Sequence, residues 1–78
     1  MNSMTLKQFF ENFPMINISK FAEYCGINES QMRQYAIGDR NPSDKTKYFI
    51  EAKLRQLGNQ LSRINISYED LTEKYKDV

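Results

Sequence analysis

"GINESQMRQYAIGDRNP", residues 26–42, decides how the rest of this chain is read. It opens on Gly26 and closes on Gly38 and Pro42, and between them only Met32 and Tyr35 are large and three apart. Two large side chains at that spacing lie on one face of a helix. Glu29, Ser30, Arg33 and Gln34 are left with no apolar neighbours to pack against. Upstream, Ile18, Phe21, Ala22 and Cys25 recur at helical spacing, with Asn17 or Ser19 as cap. Gly26 ends that helix, because glycine enters the left-handed region without steric cost. Ile27 then drops into the core, and Asn28 caps the next helix, whose inward face is Met32 and Tyr35 completed by Ala36 or Ile37. Two steeply crossing helices need a small residue where they meet, a glycine in the tight turn and large residues to seat the second on the first. Ala22, Gly26, Met32 and Tyr35 meet those needs in order. The geometry holds the second helix proud of the body, where its outer face stays polar and fits the DNA major groove.

Working outward, the reading is helical throughout. A first helix covers about Met4–Asn12, capped by Ser3 or Thr5 and stopped by Pro14, with Leu6, Phe9, Phe10 and Phe13 as its apolar contacts. "DRNP" forms a turn after Gly38. Ser43 or Asp44 caps a fourth and longest helix, in which Ile50, Leu54, Leu57, Leu61 and Ile64 follow a four-three-four-three spacing. Gly58 costs this helix about 1 kcal/mol relative to alanine, so the helix either ends there or runs through it. "RINIS" reads as a turn or a brief strand. Ser67 caps a last acidic helix, "YEDLTEKYKDV", anchored by Tyr68, Leu71 and Tyr75. The chain reads as one domain over residues 1–78, an all-α bundle of four to five helices, with no repeat or low-complexity linker.

Composition narrows the function. Cys25 is the only cysteine, so no intrachain disulfide exists, which fits a cytoplasmic setting. With no histidine and one thiol, a zinc site lacks ligands, and no metal or other cofactor is expected. Cys25 reads as a small buried apolar residue. No apolar run is long enough for a membrane span or a signal-peptide core. Catalysis by histidine is excluded, and neither a phosphate loop nor a nucleophile elbow is present, so the chain does not read as an enzyme. Net charge is only +1. Its distribution is uneven: Arg33, Arg40, Lys45, Lys47, Lys53, Arg55 and Arg63 face only Asp39, Asp44 and Glu51 across residues 30–63.

The stretch "ISKFAEYCGINESQMRQYAIGDRNPS", residues 18–43, resembles the helix-turn-helix of the Cro and phage-repressor type, also called the xenobiotic-response-element family. That family's pattern runs from a small residue to a glycine four later, an apolar residue, two apolar recognition-helix positions, then a glycine and a loop proline. Ala22, Gly26, Ile27, Met32, Tyr35, Gly38 and Pro42 match it in turn. The outline extends over about Leu6–Asp70, while the specific match is confined to residues 18–43. Tyr35 is larger than the residue usual there. The fourth helix is longer than the family's, and Ile18 stands where a polar phosphate-contacting side chain is common.

The resemblance implies a lambda-repressor-like fold with the motif at about residues 18–38, in helices 2 and 3. It implies double-stranded DNA as partner and a small transcriptional regulator, repressor or antitoxin-like, with no small-molecule ligand. Carried over by position, Glu29, Ser30, Arg33 and Gln34 would face base edges. The chemistry suits this, since arginine pairs with guanine, glutamine with adenine, and a carboxylate accepts from cytosine. Ser19, Lys20, Asn28, Arg40, Asn41, Lys45 and Lys47 would sit beside phosphates, which position without reading sequence. The Ile50, Leu54, Leu57, Leu61 and Ile64 seam is either a homodimer interface or an intrachain core face. The competing function is a protein-interaction module that keeps the scaffold without DNA affinity.

Overall fold

The computed structural model describes residues 3–69. Among these residues it is all-helical, in four helices: α1 (Leu6–Asn12), α2 (Ile18–Cys25), α3 (Glu29–Ile37) and α4 (Asp44–Leu61).

Every helix starts on a side chain that satisfies a backbone N–H left over by helix geometry. Thr5 caps α1 in a reciprocal box: the Gln8 backbone N–H donates to Thr5 Oγ1 (3.1 Å), and the Thr5 N–H donates to Gln8 Oε1 (2.9 Å). Thr5 is therefore the cap, and α1 begins at Leu6 rather than Met4. Asn17, Asn28 and Ser43 do the same for α2, α3 and α4. Pro14 follows Phe13, which closes α1 with its N–H on the Phe9 carbonyl.

The core is one cluster drawn from all four helices: Phe9, Phe21, Ala22, Cys25, Met32, Tyr35 and Ile50. Phe9 is its aromatic centre, with Phe10, Phe13 and Phe21 rings at 5.1, 5.3 and 5.5 Å. Tyr24 ties α2 to α4, since its hydroxyl donates to the Lys53 carbonyl at 3.4 Å and Lys53 Nζ lies over its ring. No buried polar side-chain atom among the described residues lacks a partner.

α4 outruns this core. Its 18 residues make a rod of about 27 Å, yet only Ile50 is buried, with Leu54 packed against the cluster. Leu57 is half-buried, whereas Leu61 and Ile64 are each 57% exposed. Helix continues through Gly58, where an added Cβ would meet nothing within 4 Å. Gly58→Ala is therefore expected to raise stability by about 1 kcal/mol, from helix propensity alone. Urea denaturation measures it, and a loss of stability would show that Gly58 approaches something closely.

One open reading is resolved and one expectation changes. "RINIS" forms a turn at Ser62–Arg63 and no strand, and residues 64–69 carry no regular structure. The last helix, expected from Ser67, is thus absent over its described start, and its remainder, residues 70–78, lies outside the described residues.

Candidate nucleic-acid interface

α2 and α3 meet at a corner turned by the left-handed Gly26, and a second left-handed glycine, Gly38, closes α3. Gly26 sits at φ 71°, ψ 29°. Its N–H donates to the Glu23 carbonyl (3.1 Å) and the Ile27 N–H donates to that of Ala22 (2.9 Å). This paired pattern is a Schellman closure, which satisfies the last carbonyls of the helix while turning the chain. α3 ends identically: Gly38 is at φ 85°, with Gly38 N–H to the Tyr35 carbonyl (3.2 Å) and Asp39 N–H to that of Gln34 (3.0 Å).

Inside the corner, Ala22 is buried at the crossing, as a steep approach requires. Met32 is 0% exposed and Tyr35 nearly so. The Tyr35 hydroxyl accepts from Gln31 Nε2, so the largest side chain of α3 is buried without an orphaned polar atom. Burial pushes the Cys25 thiol above its ordinary range, which keeps it protonated and inert.

The outer face of α3 holds Glu29, Ser30, Arg33 and Gln34, all exposed, as the spacing predicted. Ile37 joins them at 61% exposure, and Ala36 is the residue that turns partly inward. Ile37 falls three and four residues after Gln34 and Arg33, which puts it on their stripe. That spacing was visible in the sequence, but its apolar type pointed to the core.

Two of the face residues are already engaged. The Ser19 hydroxyl, from the first turn of α2, donates to Glu29 Oε1 at 2.7 Å. Arg33 Nε donates to Glu29 Oε2 at 3.0 Å. These bonds, Ser19 first and Arg33 second, hold the Glu29 carboxyl below the usual carboxylate range.

No protein-family model, curated protein or solved structure matches this chain.

The residues expected beside phosphates are dispersed. Asn28 spends its side-chain carbonyl on the Gln31 N–H, and Lys20 pairs with Glu23 at 3.7 Å. Arg40 and Lys45 are exposed on either side of the turn that follows α3, with no carboxylate within salt-bridge distance among the described residues. Asn41 and Lys47 instead line a groove between the start of α1 and the first half of α4, with Met4, Pro42 and Leu54. The Ser19 hydroxyl already donates its one hydrogen bond to Glu29, so its side chain cannot also donate to a phosphate while that bond stands. Among the described residues no group of three metal-ligating side chains converges, and no helix is long and apolar enough to cross a membrane.

Proposed function

We propose that this protein binds double-stranded DNA sequence-specifically, as a small transcriptional regulator that lays α3 in the major groove. The observation that carries the reading is the corner itself. α3 is fastened from behind by Met32 and Tyr35, and a five-residue outer stripe of Glu29, Ser30, Arg33, Gln34 and Ile37 is left uncovered. A helix anchored on one side and polar on the other is what the major groove admits, and its donors and acceptors match base edges there. Arg33 suits guanine, Gln34 suits adenine, and Ile37 supplies an apolar surface for a thymine methyl group. Arg40 and Lys45 follow this stripe in sequence and supply charge for the phosphates. The proposal includes a lambda-repressor-like arrangement of the four helices, for which this corner is the support.

One reading helix spans few base pairs, so a second copy is part of the proposal, joined through the uncovered end of α4. The seam divides accordingly. Ile50 serves the core of its own chain and Leu54 packs partly on that core, while the remaining surface of Leu54 with Leu57, Leu61 and Ile64 forms the candidate interface.

In vitro selection from random duplexes with the purified protein tests the proposal. Enrichment of a palindrome supports both DNA reading and pairing, and recovery of unenriched sequence overturns both. The competing reading, a protein-interaction module, draws on the carboxylate in the first turn of α3 and the net charge of +1. Salt-dependent gel shifts separate the two, because phosphate contacts impose a steep salt slope.

Within this reading, Arg33→Ala is expected to cost about 1–3 kcal/mol on the selected site and to relax preference at one base pair. Equal weakening on all duplexes would move Arg33 from base edges to phosphates.

A further inference from the structure

We infer that Glu29 is a positioning residue for base reading: its carboxylate, anchored across the corner by Ser19, holds Arg33 in the pose that pairs with guanine. This rests on the DNA reading above and assigns Glu29 a role other than contacting a base itself. Three facts converge. Both carboxylate oxygens are occupied, Oε1 by Ser19 Oγ at 2.7 Å and Oε2 by Arg33 Nε at 3.0 Å. The Ser19 bond crosses from α2 to α3, so the carboxylate is fixed to the body of the protein and not only to its own helix. Arg33 is held through Nε alone, and its two terminal nitrogens have no protein acceptor among the described residues.

Guanidinium carries five N–H donors in a planar fork. Removing the Nε–H from play leaves the terminal pair, which spans guanine O6 and N7 in a bidentate contact. A free arginine on a solvated helix samples many rotamers and loses that entropy on binding, whereas a buttressed one has lost part of it beforehand. Neutralising Glu29 through Arg33 also offsets the repulsion a bare carboxylate would suffer from phosphates. A carboxylate so engaged keeps one lone pair on each oxygen, but Ser19 and Arg33 fix the directions in which it accepts.

A double-mutant cycle with Glu29→Ala, Arg33→Ala and the combination tests this on the selected duplex and on a duplex with the guanine replaced. Glu29→Ala is expected to lower discrimination at that base pair by roughly tenfold, while binding to random duplex stays equal or strengthens because a negative charge has gone. In the Arg33→Ala background the same change is expected to leave discrimination unmoved. Glu29→Gln, which keeps a carbonyl acceptor for Arg33, is expected to fall between wild type and Glu29→Ala. Glu29 is exposed, and unchanged circular dichroism and melting establish that the variants fold. Loss of discrimination at a different base pair, additive with Arg33→Ala, would make Glu29 a base reader and overturn the inference. Undiminished discrimination in Glu29→Ala would overturn it too. Those outcomes leave the DNA reading intact, whereas a wild type with no preference among duplexes overturns that reading together with this inference.

Discussion

Met32→Ala is expected to remove about 2–5 kcal/mol of folding free energy, the usual cost of truncating a fully buried methionine. Met32 has no exposed surface and sits where α3 meets α1 and α2 in the shared core. Its neighbours are helical side chains already in mutual contact, so collapse into the vacated volume is limited. A chain of this length has a total stability of only about 4–12 kcal/mol, and each kcal/mol moves the melting temperature by roughly 4–8 °C. The variant should therefore melt roughly 8–40 °C below the wild type and lose the proposed DNA binding with its fold. Ile66→Ala is the control: Ile66 is large and apolar but lies exposed beyond α4, so its truncation should change stability by less than about 0.5 kcal/mol. A Met32→Ala protein that melts within a few degrees of wild type would mean that α3 is not seated through this side chain.

What could be read from the sequence was what depends on neighbours along the chain. The caps Thr5, Asn17, Asn28 and Ser43 each bond a backbone N–H three residues on, so local residue type singled out Asn28 and narrowed each of the others to one of two residues. Gly26 and Gly38 were legible for the same reason, since a left-handed closure restricts the residue that adopts it. Ile37 was harder. At about 100° per residue it lies roughly 200° from Tyr35, while Ala36 lies roughly 40° from Met32. The smaller residue therefore faces inward, against what hydrophobicity by type suggests. The link from Ser19 to Glu29 was hidden for another reason. The two are ten positions apart on different helices, and only the crossing angle brings them to 2.7 Å.

The fourth-helix seam shows a third limit: periodicity reports which residues share a face, but not what the face meets. One stripe runs from Ile50, 3% exposed inside the core, to Ile64, 57% exposed beyond it. The first half of the stripe is thereby explained within one chain, whereas Leu61 and Ile64 at its far end stay exposed.

Leu61→Asp follows from that division and is expected to abolish the proposed pairing of two copies while leaving each copy folded. Leu57 and Leu61, one turn apart near the end of α4, are self-complementary when two α4 helices run antiparallel about a two-fold axis. Leu57 then meets Leu61 of a second copy, and Leu54 meets the segment just beyond α4 that carries Ile64. A parallel pairing through the whole stripe would instead require Ile50, which its own core already buries. Aspartate at position 61 would place a charge in each of two layers, and unpaired buried charge is among the costliest changes an interface can suffer. In the single chain that side chain is 57% exposed, so its replacement should alter monomer stability by no more than about 0.5 kcal/mol. Sedimentation should give a dimer for wild type and a monomer for Leu61→Asp at micromolar concentration, with unchanged helical circular dichroism. Palindrome binding should fall to the level of a half-site, and weak binding to random duplex should persist because phosphate contacts do not need the partner. A wild type that sediments as a monomer and still binds the palindrome tightly would remove the interface from this face of α4, leaving its apolar end to be covered by something other than a second copy.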